Sequence, residues 1–352
     1  MSAEQASATG LWAAIAEVRR LSPGEARALR PAAERLAMLT SPALAEWLLS
    51  RPTDERGPLV SPDDVQRSRL YNRFARGQGL RWLKAVADAG IEVVCLKGFA
   101  AALSVYPDPD LRGMGDIDIL VRERDIGALV RALTAHGFKF KESAGTPIWG
   151  LASTASFHPF VAPDKRFVFD LHVHPDADPI HRGLTTEAVF AGARTIDVNG
   201  VAVRIPSGPH FLLLAIANAA RDKLGADAVK SVADAFAYLT RTTLDPGWDE
   251  IVAAARRGGF MRTLRAMLAF LARLGVPPAR LPAGFSLRLG AVARAELDRA
   301  VADYVALFPE EPGKAALQRR EFLLLAPPAV IARRYARRLR GLVRPWTGIP
   351  KG

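Results

Sequence analysis

Two aspartates, Asp116 and Asp118, stand in the run Gly115-Asp116-Ile117-Asp118-Ile119-Leu120-Val121. Residues two apart on a strand point to the same side, so these carboxylates would converge while Ile117 and Ile119 face a core. Carboxylates held side by side repel each other unless a cation lies between them, which points to a divalent-metal site. Upstream, Val93-Val94-Cys95-Leu96-Lys97-Gly98 reads as an apolar strand that delivers a glycine to a helix start. Amides at a helix N-terminus can approach a phosphate closely only where no side chain intervenes, and Gly98 meets that condition. Lys97 adds a mobile ammonium suited to triphosphate or pyrophosphate charge. Arg112, in the loop just before the acids, is placed to grip a phosphate through two parallel hydrogen bonds.

Asp170 supplies a third carboxylate on a strand spanning Arg166 to Val173, where Phe167, Phe169 and Leu171 alternate with Val168, Asp170 and His172. A strand hydrogen-bonded beside the Asp116/Asp118 strand would bring Asp170 to the same cations. Three converging acids suit phosphoryl transfer with two metal ions, with Asp170 also able to help deprotonate an acceptor. His172 and His174 share a strand face with Asp170, so a metal-dependent hydrolase built on Asp170, His172 and His174 is a second reading, although Pro175 follows at once. Lys230 and Asp234, four apart, read as an ion pair on a helix surface. His210 and Asn218 read as helix-packing residues.

The elements that must position these groups are legible from periodicity. Leu11 to Arg20, Pro31 to Leu49 with a break at Pro42, and Pro62 to Ala89 carry apolar residues at helical spacing, the last through Leu70, Phe74, Leu80, Leu83 and Val86. Arg51 to Ser61 reads as a loop. Ile91 to Leu96 is the first strand, Asp125 to His136 a helix closed by Gly137, and Phe138 to Glu142 a further strand. Asn199-Gly200 between two β-rich runs predicts a hairpin over Thr195 to Ile205. Ser207 can cap a helix running to about Asp222, and nearly everything beyond is helical in pattern. Strands thus cluster between residues 91 and 205, flanked by helices, as an α/β or α+β core.

Together, Leu96-Lys97-Gly98, Tyr106-Pro107, Arg112, Asp116 to Val121 and Asp170-Leu171-His172 resemble the polymerase-beta-like nucleotidyltransferase superfamily. The likeness is greater to its uncharacterised family of the Leu-Lys-Gly and Asp-Ile-Asp-Leu-Leu-Val type, over roughly residues 65–240, and Asp234 resembles that family's downstream helical aspartate. The resemblance implies an α+β fold: a small mixed sheet flanked by helices as catalytic core (90–206), an N-terminal helical region (1–89), and a C-terminal helical domain with a basic tail helix (207–352). It also implies a Mg²⁺-dependent enzyme that uses two ions and an NTP, ATP being the expected donor, and moves a nucleoside monophosphate to an acceptor. In that frame Asp116, Asp118 and Asp170 are the catalytic metal ligands, and Lys97, Gly98, Arg112 and His172 contact the cofactors. The chain departs from the wider superfamily, whose turn is Gly-Gly or Gly-Ser and whose spacer to the first acid is shorter than residues 99–115. Lys97 would stand in for the missing serine.

Composition narrows the rest. At 352 residues, about half of them apolar, the chain is long enough for two domains or one core with helical additions. Cys95 is the single cysteine, so no disulfide can form within the chain, and a reducing cytoplasm is the expected location. The first ten residues lack the pattern of a secretory signal, and no apolar run reaches the roughly 18 residues of a membrane span. The net charge of +12 is concentrated from residue 251 onward, where 19 Lys+Arg face 6 Asp+Glu, a balance of +13, leaving −1 for residues 1–250. The basicity therefore does not belong to the proposed site. Near the C-terminus, Ile331, Tyr335, Leu339, Leu342, Val343 and Trp346 form a helical stripe with arginines around it, a surface suited to an anionic partner or membrane if it is not simply packed on the domain. A non-enzymatic basic module that binds nucleic acid or an acidic partner is the third reading.

Overall fold

Five strands form one mixed sheet in the computed structural model, which describes residues 23–49, 58–141, 155–326, 328–333 and 336. In chain order they are β1 (Val93–Cys95), β2 (Ile117–Val121), β3 (Lys139–Phe140), β4 (Phe160–Val161) and β5 (Val168–His172). Their spatial order is β1-β2-β5-β4-β3; β2 and β5 run parallel, and the other pairings are antiparallel. A separate hairpin, β6 (Arg194–Val198) and β7 (Val201–Ile205), turns at Asn199 (φ 55°) and Gly200 (φ 80°). Both are left-handed, as the expected turn type requires. The strand expected over Phe138 to Glu142 is only two residues long, and β4 was not anticipated at all. These short strands are held by ring packing: Phe138 stacks on Phe169 at 5.8 Å, and Phe140 meets Phe160 at 4.4 Å.

The helices before and within the sheet region are α1 (Pro23–Leu39), α2 (Pro42–Leu49), α3 (Pro62–Asp88), α4 (Lys97–Ser104), α5 (Ile126–Ala135), α6 (Ile180–Gly183) and α7 (Thr186–Gly192). After the hairpin come α8 (Gly208–Arg221), α9 (Val229–Arg241), α10 (Trp248–Gly258), α11 (Met261–Arg273), α12 (Ala291–Val305) and α13 (Lys314–Arg320). The break at Pro42 is present, but α1 begins before Pro31 and carries that proline in its interior. Ser207 caps α8 by accepting from the His210 amide. Helix α8 is buried along nearly all its length and packs on α4, α9, α10 and α11, so it joins the sheet region to the helical layer. Close approach has a backbone requirement at Gly183: a Cβ there would lie 2.0 Å from the Ala254 carbonyl oxygen, so α6 and α10 touch main chain to main chain.

Helix α3 departs from its sequence reading. Leu80, Leu83 and Val86 are buried as expected, whereas Leu70 and Phe74 are 53% and 48% exposed. The first half of α3 docks through polar groups instead. Asn72 Nδ2 donates to the Asp110 carbonyl at 2.8 Å, Arg73 Nε and Arg76 hold the Asp110 carboxylate, and Arg69 pairs with Asp108. This face pins the loop that leads to Arg112 and the acids.

At the far side, buried Arg320 donates to the Leu224 carbonyl at 2.6 Å and pairs with Asp303, fixing the loop after α8. That loop carries Lys223 and Leu224 in the left-handed region. Among the described residues no helix is long and apolar enough to cross a membrane. Of the expected tail stripe, Ile331 is buried. Tyr335, Leu339, Leu342, Val343 and Trp346 lie outside the described residues, as does Leu11 to Arg20.

Burial alone would raise the Asp110 carboxyl, but Arg76 and Arg73 outweigh it and hold the group below the usual carboxylate range. Its depressed folded value means that its stabilisation is present above the unfolded value near ~4 and is lost as pH falls through the folded one. Asp110→Asn is therefore expected to lower stability by about 2 kcal/mol at neutral pH. Urea midpoints of parent and variant should differ at pH 7 and draw together as pH falls below the usual carboxylate range.

Candidate active site

The parallel pairing of β2 with β5 sets Asp118 beside Asp170, with Ile117 beside Phe169 and Ile119 beside Leu171. The alternation of each strand sends those four apolar side chains into the core, all at 1% exposure or less, and leaves both aspartates on the other face. His172 follows two residues after Asp170 on that face. Donor atoms of Asp118, Asp170 and His172 all lie within 4.8 Å of one another. His172 Nε2 is 2.9 Å from Asp118 Oδ1 and 3.4 Å from Asp170 Oδ2, and its ring is almost wholly buried. His174 does not join them: β5 ends at His172, Pro175 follows, and the His174 ring stacks on His181 at 4.8 Å. The Asp170, His172, His174 triad of the hydrolase reading is not assembled.

Asp116 precedes the first residue of β2 and is exposed at the same opening, outside the trio of converging donors. Although the side chain reaches solvent, crowding by the cavity wall strips part of its water and pushes its carboxyl up to about 6, Asp118 adds to the shift, and Lys97 opposes it. Asp118 behaves in the opposite way. Burial would raise it, but Lys97 and His172 together hold it well below the usual carboxylate range.

Lys97 is the third party to this arrangement. Its ammonium donates to Asp118 Oδ1 and stands 3.5 Å from His172 Nε2. Burial works against the ammonium, but Asp118 outweighs it and holds Lys97 above the usual lysine value. The left-handed residue of the turn is Lys97, with φ 45°, rather than Gly98. A Cβ on Gly98 would make an ordinary 3.5 Å contact with the Arg112 guanidinium, so local packing does not demand glycine there. No side chain caps the start of α4, which leaves its first amides without a side-chain acceptor.

Arg112 is not the free guanidinium expected from sequence. Nε and Nη2 donate to the two oxygens of Asp234 at 2.8 and 2.9 Å, Nη1 donates to the Gly113 carbonyl, and the side chain is buried. Tyr106 adds a hydrogen bond to Asp234 at 2.7 Å. Asp234 is consequently a core acid, and the expected surface pair with Lys230 is absent. Lys230 instead lines the cavity with no salt bridge among the described residues, and partial loss of water at the cavity mouth, reinforced by Arg112, holds it below the usual lysine value.

The cavity measures about 340 Å³, within the range of small-molecule sites. Lys97, Gly98, Arg112 to Asp116 and Asp118 form one wall. Helices α8 and α9 supply the other, through Phe211, Leu214, Asn218, Arg221, Lys230 and Ser231. Asn218 does more than pack its helix: its amide donates to Ser231 across to α9 at 2.5 Å, and its oxygen accepts from Arg221. Buried Asp176 accepts from Arg221 at 2.9 Å and so aims that cation at the cavity. Motif reading missed this second wall. Its trace in the sequence is a polar stripe at helical spacing, Asn218, Arg221 and Asp222 and then Asp227, Lys230 and Asp234, in helices otherwise rich in Ala, Leu and Val.

A family model described as "Uncharacterised nucleotidyltransferase" matches residues 62–275, more than half of the chain. A crystal structure of an antigenic nucleotidyltransferase-like protein from Paracoccidioides brasiliensis is similar at 14% identity and a TM-score of 0.34, covering 53% of this chain and 85% of that one. No curated protein matches the sequence.

Removing Asp234 would strand a buried guanidinium. Asp234→Ala is expected to cost about 3–5 kcal/mol, because the uncompensated charge is worse than no pair. The double variant Arg112→Met/Asp234→Ala should recover part of that loss in urea denaturation. A simple sum of the two single effects would contradict the pairing.

Proposed function

The chain belongs to the uncharacterised nucleotidyltransferase family, and we propose that it transfers a nucleoside monophosphate from an NTP, ATP being the expected donor, to an acceptor group on a small molecule, peptide or protein. The observation that carries this reading is the pair Asp118 and Asp170, set abreast by strand register, with Asp118 on the same cavity wall as the Lys97-Gly98 turn.

The carboxylates suit the Mg²⁺ such transfer requires, a hard ion that takes oxygen donors. Two carboxylates and an imidazole converge, and an ammonium is already drawn onto one of them, which marks the place as one where positive charge is favoured. Asp118 and Asp170 would hold one ion, and Asp116 with Asp118 the other, with His172 bracing the Asp118 carboxylate. When bound, the ions neutralise phosphate charge and raise the nucleophilicity of the acceptor oxygen.

The chain's own groups do the rest. Gly98 lets phosphate oxygens reach the uncapped amides of α4, which explains a glycine that packing does not require. Lys97, Arg221 and Lys230 surround the cavity with positive charge for a triphosphate. Arg112 acts through Asp234 and Gly113, keeping the loop before Asp116 in place. The acceptor oxygen bonds to the α-phosphorus as the bond from that phosphorus to the bridging pyrophosphate oxygen breaks, and the acceptor proton passes to Asp170. Pyrophosphate leaves. Phe211, Leu214 and Met114 give the cavity an apolar side on which a nucleobase can rest.

Incubation with each labelled NTP and Mg²⁺ in cell extract, followed by mass analysis, should reveal a species heavier by one nucleoside monophosphate together with released pyrophosphate. Asp170→Asn tests the site better than Asp118→Asn, because Asp118 is also the partner of Lys97 and its loss would disturb the fold. Asp170→Asn is expected to lower turnover by about 100-fold or more, since transfer of this kind depends on charge neutralisation in place, with little change in Tm. Full turnover in that variant, or product formation without NTP, would refute the assignment.

A further inference from the structure

We propose that Lys97 is a built-in counter-ion for the acidic cluster, displaced only when nucleotide arrives, so that the protein takes up its divalent ion together with nucleotide rather than alone. This rests on the nucleotidyl-transfer reading above.

Asp118 Oδ1 is the shared atom. It accepts from the Lys97 ammonium and lies 2.9 Å from His172 Nε2, and the ammonium itself is 3.5 Å from that nitrogen. A divalent ion drawn to the same carboxylate would face a positive charge already there, so the two cations compete for one oxygen. The competitor cannot diffuse away, because its main chain is fixed at the start of α4 in a left-handed conformation. Its four-carbon stem can still swing, and the Lys97 side chain, 24% exposed, opens onto the cavity that Gly98 also lines.

That placement couples two events. A phosphate entering beside Gly98 offers the ammonium a new partner, and its departure leaves Asp118 free for the metal. By linkage the effect is reciprocal: nucleotide raises metal affinity by the factor by which metal raises nucleotide affinity. Without nucleotide, Lys97 taxes metal binding.

The test is direct Mn²⁺ binding to the full chain, read from loss of the free-ion electron paramagnetic resonance signal, with and without α,β-methylene-ATP, after subtraction of the ion that the analogue binds in a protein-free titration. Lys97→Gln keeps a hydrogen-bond donor but loses the charge, and should bind Mn²⁺ about tenfold more tightly than the parent in the absence of nucleotide. The nucleotide analogue should tighten Mn²⁺ binding in the parent and do so far less in this variant. Lys97→Arg, which can pair more firmly with the carboxylate, should bind Mn²⁺ more weakly than the parent. It decides the matter if the Gln variant does not melt cooperatively. Unchanged or weaker Mn²⁺ binding by Lys97→Gln, or unchanged or stronger binding by Lys97→Arg, overturns the counter-ion role. In either case nucleotide-dependent binding by the parent leaves the transfer reading standing. Failure of the folded parent and both folded variants to bind Mn²⁺ under any condition overturns both.

Discussion

Like charges held abreast by a sheet are the constraint on which this molecule turns. Parallel pairing of β2 and β5 offers no freedom to separate Asp118 from Asp170, since a shift of one residue would send Ile117, Ile119, Phe169 and Leu171 to the wrong face. The hydrophobic register therefore enforces an electrostatic conflict, and the surroundings must answer it with positive charge. Lys97 does so from within the chain, and His172 lies within hydrogen-bond distance of the same Asp118 oxygen.

The same logic runs through the cavity walls. The arginines are each matched to an acid: buried Arg112 to Asp234, half-buried Arg221 to Asp176, and buried Arg320 to Asp303 behind them. A buried charge without a partner costs several kcal/mol, so a protein that must present several cations to one opening has to anchor most of them from behind. Lys230 is the exception among the lining cations, and it stands where solvent still reaches it. Anchoring also fixes direction. Arg221 is held by Asp176 and Asn218, which leaves its position at the rim set before any ligand arrives.

How much of this was legible in the sequence follows from which interactions are local. Strand alternation over Ile117 to Val121 and Val168 to His172, the Asn199-Gly200 turn and the Ser207 cap all depend on near neighbours, and each was readable, although Asp116 falls just before its strand. The role of Arg112 depends on Asp234, 122 residues away, and no spacing rule reports such a pair. Helix α3 misled for a related reason. Its apolar repeat at Leu70 and Phe74 suggested a buried face, but Asn72, Arg73 and Arg76 dock on the Asp108 to Leu111 loop and turn those side chains outward. The wall from α8 and α9 was hidden because its polar residues looked like ordinary helix surface until the fold set them opposite Gly98.

That second wall bears on how the helical layer and the sheet region relate. Phe211, Asn218, Arg221 and Lys230 come from after the hairpin, whereas Lys97, Gly98 and the acids come from before it, yet they enclose one cavity. Helix α8 is the reason, being packed against α4 as well as against α9, α10 and α11. The loop that ends α8 is in turn fixed by Arg320 from the far end of the chain. Positions that contact no ligand thus set the width of the opening, because a change in how α12 and α13 hold Leu224 would move Asp222 and Arg221 together. A site whose acids are fixed by sheet register and whose cations are fixed by helix packing is preorganised on both sides. The moving parts are then confined to side chains long enough to swing, and in this cavity those are the lysines.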